Sequence, residues 1–298
     1  MPAGHRSALD ATAVLITLVL CLMWSLNNVA AKLAGHGVSY LMQYAIRSAL
    51  ATVLMAIWAR SRGIPLFSRD GTLAAGLAAG VLFGIEFVFG AWGLNHTTAA
   101  RLTVFVYLAP VFTALGLAWF VPGERLSATQ WLGVLAGFAG VAIVFSEGFG
   151  EGPAHTWLGD LCGTLAGLFW GATTVLVRAT RLNNASASKT LFYQLGISIP
   201  ILLCGSWALG EPGIVKLDAV VVTSILWQGV VITFATFLVW FWLLRRYLAG
   251  RLAVLTFVTP LFGVAAGVLI LGEPLTGRLL WGALAVGGGI LLVNRRSG

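Results

Sequence analysis

RLTVFVYLAPVFTALGLAWFVPGERL, residues 101–126, returns as RLAVLTFVTPLFGVAAGVLILGEPL, residues 251–275. Arg101 and Pro110 fall on Arg251 and Pro260, 150 residues on, and Gly123-Glu124 falls on Gly272-Glu273, 149 residues on. A glycine-rich run follows each copy, with Gly133, Gly137 and Gly140 after the first and Gly282 and Gly289 after the second. Upstream, WSLNNVAAK at 24–32 falls on WGATTVLVR at 170–178, Tyr44 and Trp58 fall on Tyr193 and Trp207, and Trp92 falls on Trp242. The displacement stays between 146 and 150 throughout. Single matches are cheap in a chain rich in Trp and Gly, but their common order at one spacing is the mark of a duplication.

Both copies are embedded in apolar sequence. Of 298 residues, 59% are hydrophobic and 9% charged, against about 25% charged in a soluble domain. A bilayer core takes about 20 apolar residues per helix. Breaking the chain at its charged, Gly, Pro and Asn joints gives ten such runs, at 11–33, 38–59, 72–95, 99–121, 127–146, 157–180, 187–208, 219–244, 249–271 and 276–294. They lack the alternation of a membrane barrel, and backbone groups in lipid must be satisfied within the segment, so the runs read as helices. This predicts an all-α membrane protein of ten transmembrane helices with no extramembrane domain. The first run is about twenty residues, longer than a leader's apolar region, and has a mid-chain counterpart, so it reads as retained.

The basic residues set an orientation. Thirteen Lys and Arg lie on the side of the N-terminus, namely Arg6, Arg60, Arg62, Arg69, Arg125, Arg178, Arg181, Lys189, Arg245, Arg246, Arg251, Arg295 and Arg296. Four lie on the other side, Lys32, Arg101, Lys216 and Arg278, and Arg47 falls inside a span. The joint with Glu147 and Glu151 carries no Lys or Arg. The positive-inside rule then predicts both termini in the cytoplasm. Five spans is an odd number, so the second repeat, 157–296, enters the membrane opposite to the first, 8–146. Inverted repeats of this kind form half-shells that rock about a shared midplane site in secondary transporters.

Several classes find no support. The net charge of +8 is scattered singly and in pairs between apolar runs, whereas a nucleic-acid reader gathers its basic residues on one face. Cys21, Cys162 and Cys204 lie inside apolar runs and form no paired motif. His5, His36, His96 and His155 have no metal-ligand spacing, and no HExxH, GxSxG or P-loop occurs. Neither an enzyme, a metal nor a cofactor is expected, and no nucleic-acid partner.

The twice-occurring pattern of Arg, a Pro nine residues on, Gly-Glu-x-Leu and a Gly-rich last helix resembles the EamA family of the drug/metabolite transporter superfamily over essentially the full length. The Trp-rich sequence is most similar there to inner-membrane exporters of aromatic and other amino acids. The resemblance implies a ten-helix fold with both termini inside, and a central cavity walled by spans one to four and six to nine.

Residue by residue, a site can be proposed. Trp24, Asn27 and Asn28 share one face of the first span, and Trp170, Thr173 and Thr174 repeat that face in the sixth. Two adjacent asparagines have no use for lipid, so the face points inward. It either lines a cavity or forms a hydrogen-bonded packing seam, worth about 0.6 kcal/mol per contact. Trp240 in the eighth span joins these candidates, as does Tyr107, which shares a face with Thr103 and Pro110. Arg47 and Glu86 each cost about 2.5 to 3.5 kcal/mol at mid-membrane and so should face the interior. Each lies about nine residues from the outer end of its span, near 14 Å depth at 1.5 Å per residue. They read either as a structural ion pair or as groups that meet the charges of a solute or carry a coupling proton. Pro110 and Pro260 should bend equivalent helices, as static bends or as gates. Gly76, Gly80 and Gly84, and Gly159, Gly163, Gly167 and Gly171, allow close helix approach within the chain, or between chains of a dimer.

The expected function is export of amino acids, aromatic and other neutral ones, across the bacterial inner membrane by alternating access, from a monomer or weak dimer. Its partners are then a small-molecule substrate and the lipid bilayer. The alternatives are a carrier for other amphipathic metabolites or drugs, including organic cations paired with Glu86, and a membrane receptor or assembly subunit without flux.

Overall fold

The computed structural model describes residues 10–121, 125–147, 156–247, 252 and 255–294, with backbone alone at 241, 244 and 245. His5, Arg6, Gly123-Glu124, Glu151, His155, Arg251, Arg295 and Arg296 lie outside the described residues. The described chain is built of helices, with an isolated bridge between Val38 and Ile214. Eight helices are long and apolar enough to cross a membrane, and two shorter apolar ones, Thr256–Leu271 and Gly277–Val293, follow.

In chain order the helices are α1 (Ala11–Ala34), α2 (Tyr40–Ser61), α3 (Leu73–Gly93), α4 (Ala99–Val106), α5 (Ala109–Phe120), α6 (Ala128–Glu147), α7 (Thr156–Ala179), α8 (Ala187–Ala208), α9 (Ala219–Leu226), α10 (Thr236–Arg246), α11 (Thr259–Leu271) and α12 (Gly277–Val293). Their starts are chemically marked. The side chains of Asp10, Thr98, Ser186, Asp218 and Thr276 each accept a hydrogen bond from a first-turn amide, filling donors that a helix start leaves open.

Successive spans alternate in direction, which gives the bundle a proximal face, where α1 begins, and a distal face. Asp10 accepts a hydrogen bond from Tyr247 on the proximal face. On the distal face His36, after α1, pairs with Asp218, before α9. Trp119, Trp131 and Trp207 are strongly exposed, as anchors in a membrane interface would be.

Two spans are interrupted just before a proline. Pro110 has no N–H for the Val106 carbonyl, and the helix breaks at Tyr107–Leu108 between α4 and α5. In the matching place a 3-10 turn, Thr256–Val258, precedes Pro260 in α11. A third irregularity carries no proline. Between α9 and α10, residues Trp227–Ala235 form a π-helix, and Thr233 Oγ1 donates to the carbonyl of Gln228, five residues back.

Glycine sets the close packing. A Cβ at Gly76, Gly80 or Gly84 of α3 would run into Tyr193, Ile197 or Ile201 of α8, and Gly159, Gly163, Gly167 and Gly171 of α7 lie equally tight against the chain from His96 to Thr113. Both stripes are therefore packed within the chain. Where α6 crosses α12, a Cβ at Gly133 would lie 2.8 Å from the Gly289 carbonyl, and one at Gly140 would lie 2.7 Å from the Gly282 carbonyl. In the repeat alignment Gly133 matches Gly282 and Gly140 matches Gly289. Each glycine thus meets the mate of the other, the reciprocity a two-fold relation produces.

Candidate functional site

A cavity of about 650 Å³ occupies the middle of the bundle. Its wall runs from Leu102 and Ala166 toward the proximal face, where it reaches the exposed Arg125 and the half-buried Asn294. All ten sequence-derived site residues stand on that wall: Trp24, Asn27 and Asn28 from α1, Arg47 from α2, Glu86 from α3, Tyr107 at the α4–α5 break, Trp170, Thr173 and Thr174 from α7, and Trp240 from α10. Pro110 also lines it, whereas Pro260 is buried within α11.

Aromatic pairs form much of the wall. Trp24 meets Trp240 edge-on at 5.5 Å between ring centroids, and Tyr107 meets Trp170 edge-on at 5.5 Å. This is the offset geometry that ring quadrupoles favour. The Trp24 indole N–H donates to Thr236 Oγ1 at 2.9 Å, so its ring is held by α10. The amides serve both readings at once. Asn28 Nδ2 donates to Thr103 Oγ1 at 3.0 Å, and Asn27 Oδ1 accepts from Arg47 at 3.0 Å, so each lines the cavity and ties α1 to a neighbour. Thr173 and Thr174 instead donate to carbonyls four residues back in their own helix.

Arg47 and Glu86 do not form the ion pair that equal depth allows. The Arg47 guanidinium carbon lies 3.6 Å from the centroid of the Tyr44 ring and 4.3 Å from that of Phe87, and Arg47 donates a hydrogen bond to Asn27. Arg47 Nε and Glu86 Oε2 are both buried without a hydrogen-bond partner among the described residues. Two aromatic faces hold the cation, which leaves the carboxylate unmatched.

The distal end carries charges that are matched. Arg101 of α4 donates from Nε and from one terminal nitrogen to Asp160 of α7. It also donates to Glu147 at the end of α6 at 2.8 Å and to the Val144 carbonyl at 2.8 Å. Thr97 donates to Asp160 at 2.9 Å, and Thr276 to Glu147 at 3.0 Å. The Glu273 carboxylate accepts from the amides of Ala99 at 2.7 Å and Ala100 at 2.9 Å, an anion at a helix start where the dipole favours it.

Other wall residues were not singled out from the sequence: Tyr44, Phe83, Phe87, Gln194, Thr233 and Phe237. A signal for some existed. Phe83, Glu86, Phe87 and Gly90 follow the same i, i+3, i+4, i+7 rule that picked out the α1 face, and Tyr44 lies three residues before Arg47. Thr233 and Phe237 depend on the π-helix, for which no sequence marker is present.

Eight helices long and apolar enough to cross a membrane around a solute-sized cavity of mixed polarity fit a multi-pass membrane transporter. It belongs to the EamA-like transporter family, whose sequence model matches residues 11–146 and again 157–295, and hence to the drug/metabolite transporter superfamily; these proteins are transporters, not enzymes. A Salmonella typhimurium (strain LT2) protein described as "Probable amino-acid metabolite efflux pump" is 26% identical over 285 residues, covering 93% of each chain. A Streptantibioticus cattleyicolor protein described as "Probable terminal-alkyne amino-acid exporter" is 27% identical, over 89% of this chain and 86% of that one. A solved crystal structure superposes with a TM-score of 0.63 at 19% identity, covering 95% of this chain and 97% of the other, a likeness of fold.

Proposed function

We propose that the chain exports amino acids, aromatic and other neutral ones, across the bacterial inner membrane by alternating access, with the central cavity as the site. The observation that carries this reading is the cavity wall itself, in which two edge-on aromatic pairs stand beside amides and a guanidinium. Its volume of about 650 Å³ is in the range of small-ligand pockets. In this reading the ten runs are ten spans in two inverted repeats, 8–146 and 157–296, with both termini cytoplasmic. The reciprocal Gly133–Gly289 and Gly140–Gly282 contacts support the inversion. The cavity then opens inward, and the Arg101–Asp160 network is the shut outer gate. Pro110 and Pro260 mark the two helices that would move.

Counterflow of labelled phenylalanine, tryptophan and leucine into proteoliposomes of the purified chain tests the reading. Accumulation above protein-free vesicles is expected for at least the aromatic pair. No accumulation of any of the three by a folded protein contradicts it. Orientation has its own check: a cysteine at the exposed Ser61 should label from the cytoplasm and one at the exposed Leu217 from the periplasm, and the reverse pattern overturns export. A second reading, transport of amphipathic organic cations, is favoured by the unmatched Glu86 carboxylate alone.

A further inference from the structure

We infer that Arg47 and Glu86 read the two ends of a zwitterion, so that the cavity selects solutes carrying both an α-carboxylate and an α-ammonium group. The inference rests on the amino-acid reading above and narrows it to a recognition chemistry.

The two groups are opposite in charge, stand on one wall, and are 4% and 8% exposed. Both line the same cavity, yet no salt bridge joins them among the described residues. Something must hold them apart, and the geometry shows what does. The Tyr44 and Phe87 rings flank the guanidinium and Asn27 takes one of its N–H groups, so reaching Glu86 would mean leaving all three. Each group is thereby left with unused capacity, Nε on one side and Oε2 on the other. Buried charges left so are costly unless something pairs with them.

A solute with a single charge answers one of the two and leaves the other worse placed. A carboxylate alone would meet Arg47 but add a like charge beside Glu86, and an ammonium alone would do the reverse. A zwitterion pairs both, and its charge-assisted hydrogen bonds are of the stronger kind. The aromatic pairs then receive the side chain. The cation-carrier reading uses Glu86 but gives the nearby guanidinium no role, and like charge at Arg47 would oppose it.

The test uses the full purified chain, with ligand-induced thermal stabilisation reading binding and proteoliposome counterflow reading transport. Phenylalanine is compared with phenethylamine, which lacks the carboxylate, and with 3-phenylpropionate, which lacks the ammonium. The wild-type chain should bind phenylalanine at least about tenfold more tightly than either analogue, since losing one charged hydrogen-bond partner costs about that factor or more. Glu86→Gln should weaken phenylalanine binding about tenfold and leave 3-phenylpropionate binding as tight as before or tighter. Arg47→Gln should show the converse, sparing phenethylamine. Should Arg47→Gln not fold, Glu86→Gln still decides, because Glu86 Oε2 has no hydrogen-bond partner among the described residues to lose.

Equal affinity for phenylalanine and phenethylamine, or a Glu86→Gln chain that binds phenylalanine as the wild type does, overturns the inference. So does absence of phenylalanine binding to the folded wild-type chain. Binding with the crossed pattern but without counterflow leaves the inference standing and removes the transport reading instead.

Discussion

Arg101 and Arg47 are 6% and 4% exposed, and each lies on a helix of the first repeat, but their surroundings differ in kind. Arg101 spends its guanidinium on two carboxylates and a carbonyl, and those carboxylates are themselves held by Thr97 and Thr276. Arg47 has one side-chain amide, two ring faces and a buried nitrogen with no hydrogen-bond partner among the described residues. The first arrangement joins α4 and α6 to α7 and α12 at the distal end. The second borders a cavity. Matched charge marks where helices are tied together, and the unmatched charge lies on the cavity wall, where the zwitterion is proposed to bind.

Asp160→Asn should have the largest effect on stability. It leaves Arg101 with Glu147 as its one carboxylate partner among the described residues, and breaking a buried ionic cluster by removing one partner costs about 3 to 5 kcal/mol. A large drop in melting temperature in detergent is expected, and an unchanged value would remove the distinction between the two arginines. Gly140→Leu should come next. The Cβ alone would sit 2.7 Å from a backbone carbonyl of α12, and backbone has little room to give. Overpacking of that kind costs about 1 to 3 kcal/mol, visible as a lower midpoint, and a neutral outcome would mean that α6 and α12 do not cross as closely as the glycines imply.

Most of the fold was legible because lipid imposes one rule on every span, and the rule shows in composition. The eight long helices fall on the first eight apolar runs, and the two shorter ones on the last two. The breaks before Pro110 and Pro260 follow from a missing N–H. The candidate wall residues were legible wherever period 3.6 could be applied to a polar face, as in α1 and α7. Depth was legible for Arg47 and Glu86, but rotation about the helix axis was not, and rotation decides that Arg47 lies between Tyr44 and Phe87. The π-helix was not legible at all. Trp227–Ala235 contains no proline, and the choice between a bond to the fourth or fifth residue back is made by packing and by Thr233. The distal cluster needed a third dimension too, since Arg101, Glu147, Asp160 and Thr276 come from four separate helices or their caps.

Asn28→Ala sharpens the comparison from the cavity side. It removes the hydrogen bond to Thr103, and such contacts between membrane helices average about 0.6 kcal/mol. A small shift in melting temperature with a severalfold loss of phenylalanine counterflow is expected. Equal fractional loss of both would assign Asn28 to packing alone.

The smallest effect should come from His36 and Asp218, which link the α1–α2 joint to the start of α9 outside the membrane. The hydrogen bond to Asp218 raises the His36 pKa above its ordinary 6.5. A raised histidine adds stability that is fully present below its ordinary pKa and is lost as pH rises through the raised value. Asp218 is held well below the usual carboxylate range, first by the Val221 amide and then by His36, so its own contribution disappears only in strong acid. Melting temperature should fall slightly as pH rises from about 6 to about 8, and His36→Ala should flatten that slope. Because His36 is exposed and Asp218 partly so, the slope should be shallow and weaken with salt.

The most direct test sets Asp160→Asn beside Glu86→Gln and measures melting temperature and phenylalanine counterflow on the same preparations. The account predicts opposite orders. Asp160→Asn should lower the melting temperature sharply, with flux falling only as the folded fraction falls. Glu86→Gln should melt at or above the wild-type temperature while losing about tenfold in counterflow. If Glu86→Gln instead loses stability as Asp160→Asn does and its remaining folded protein transports normally, the unmatched charge is structural and the cavity wall is not a recognition site for the solute.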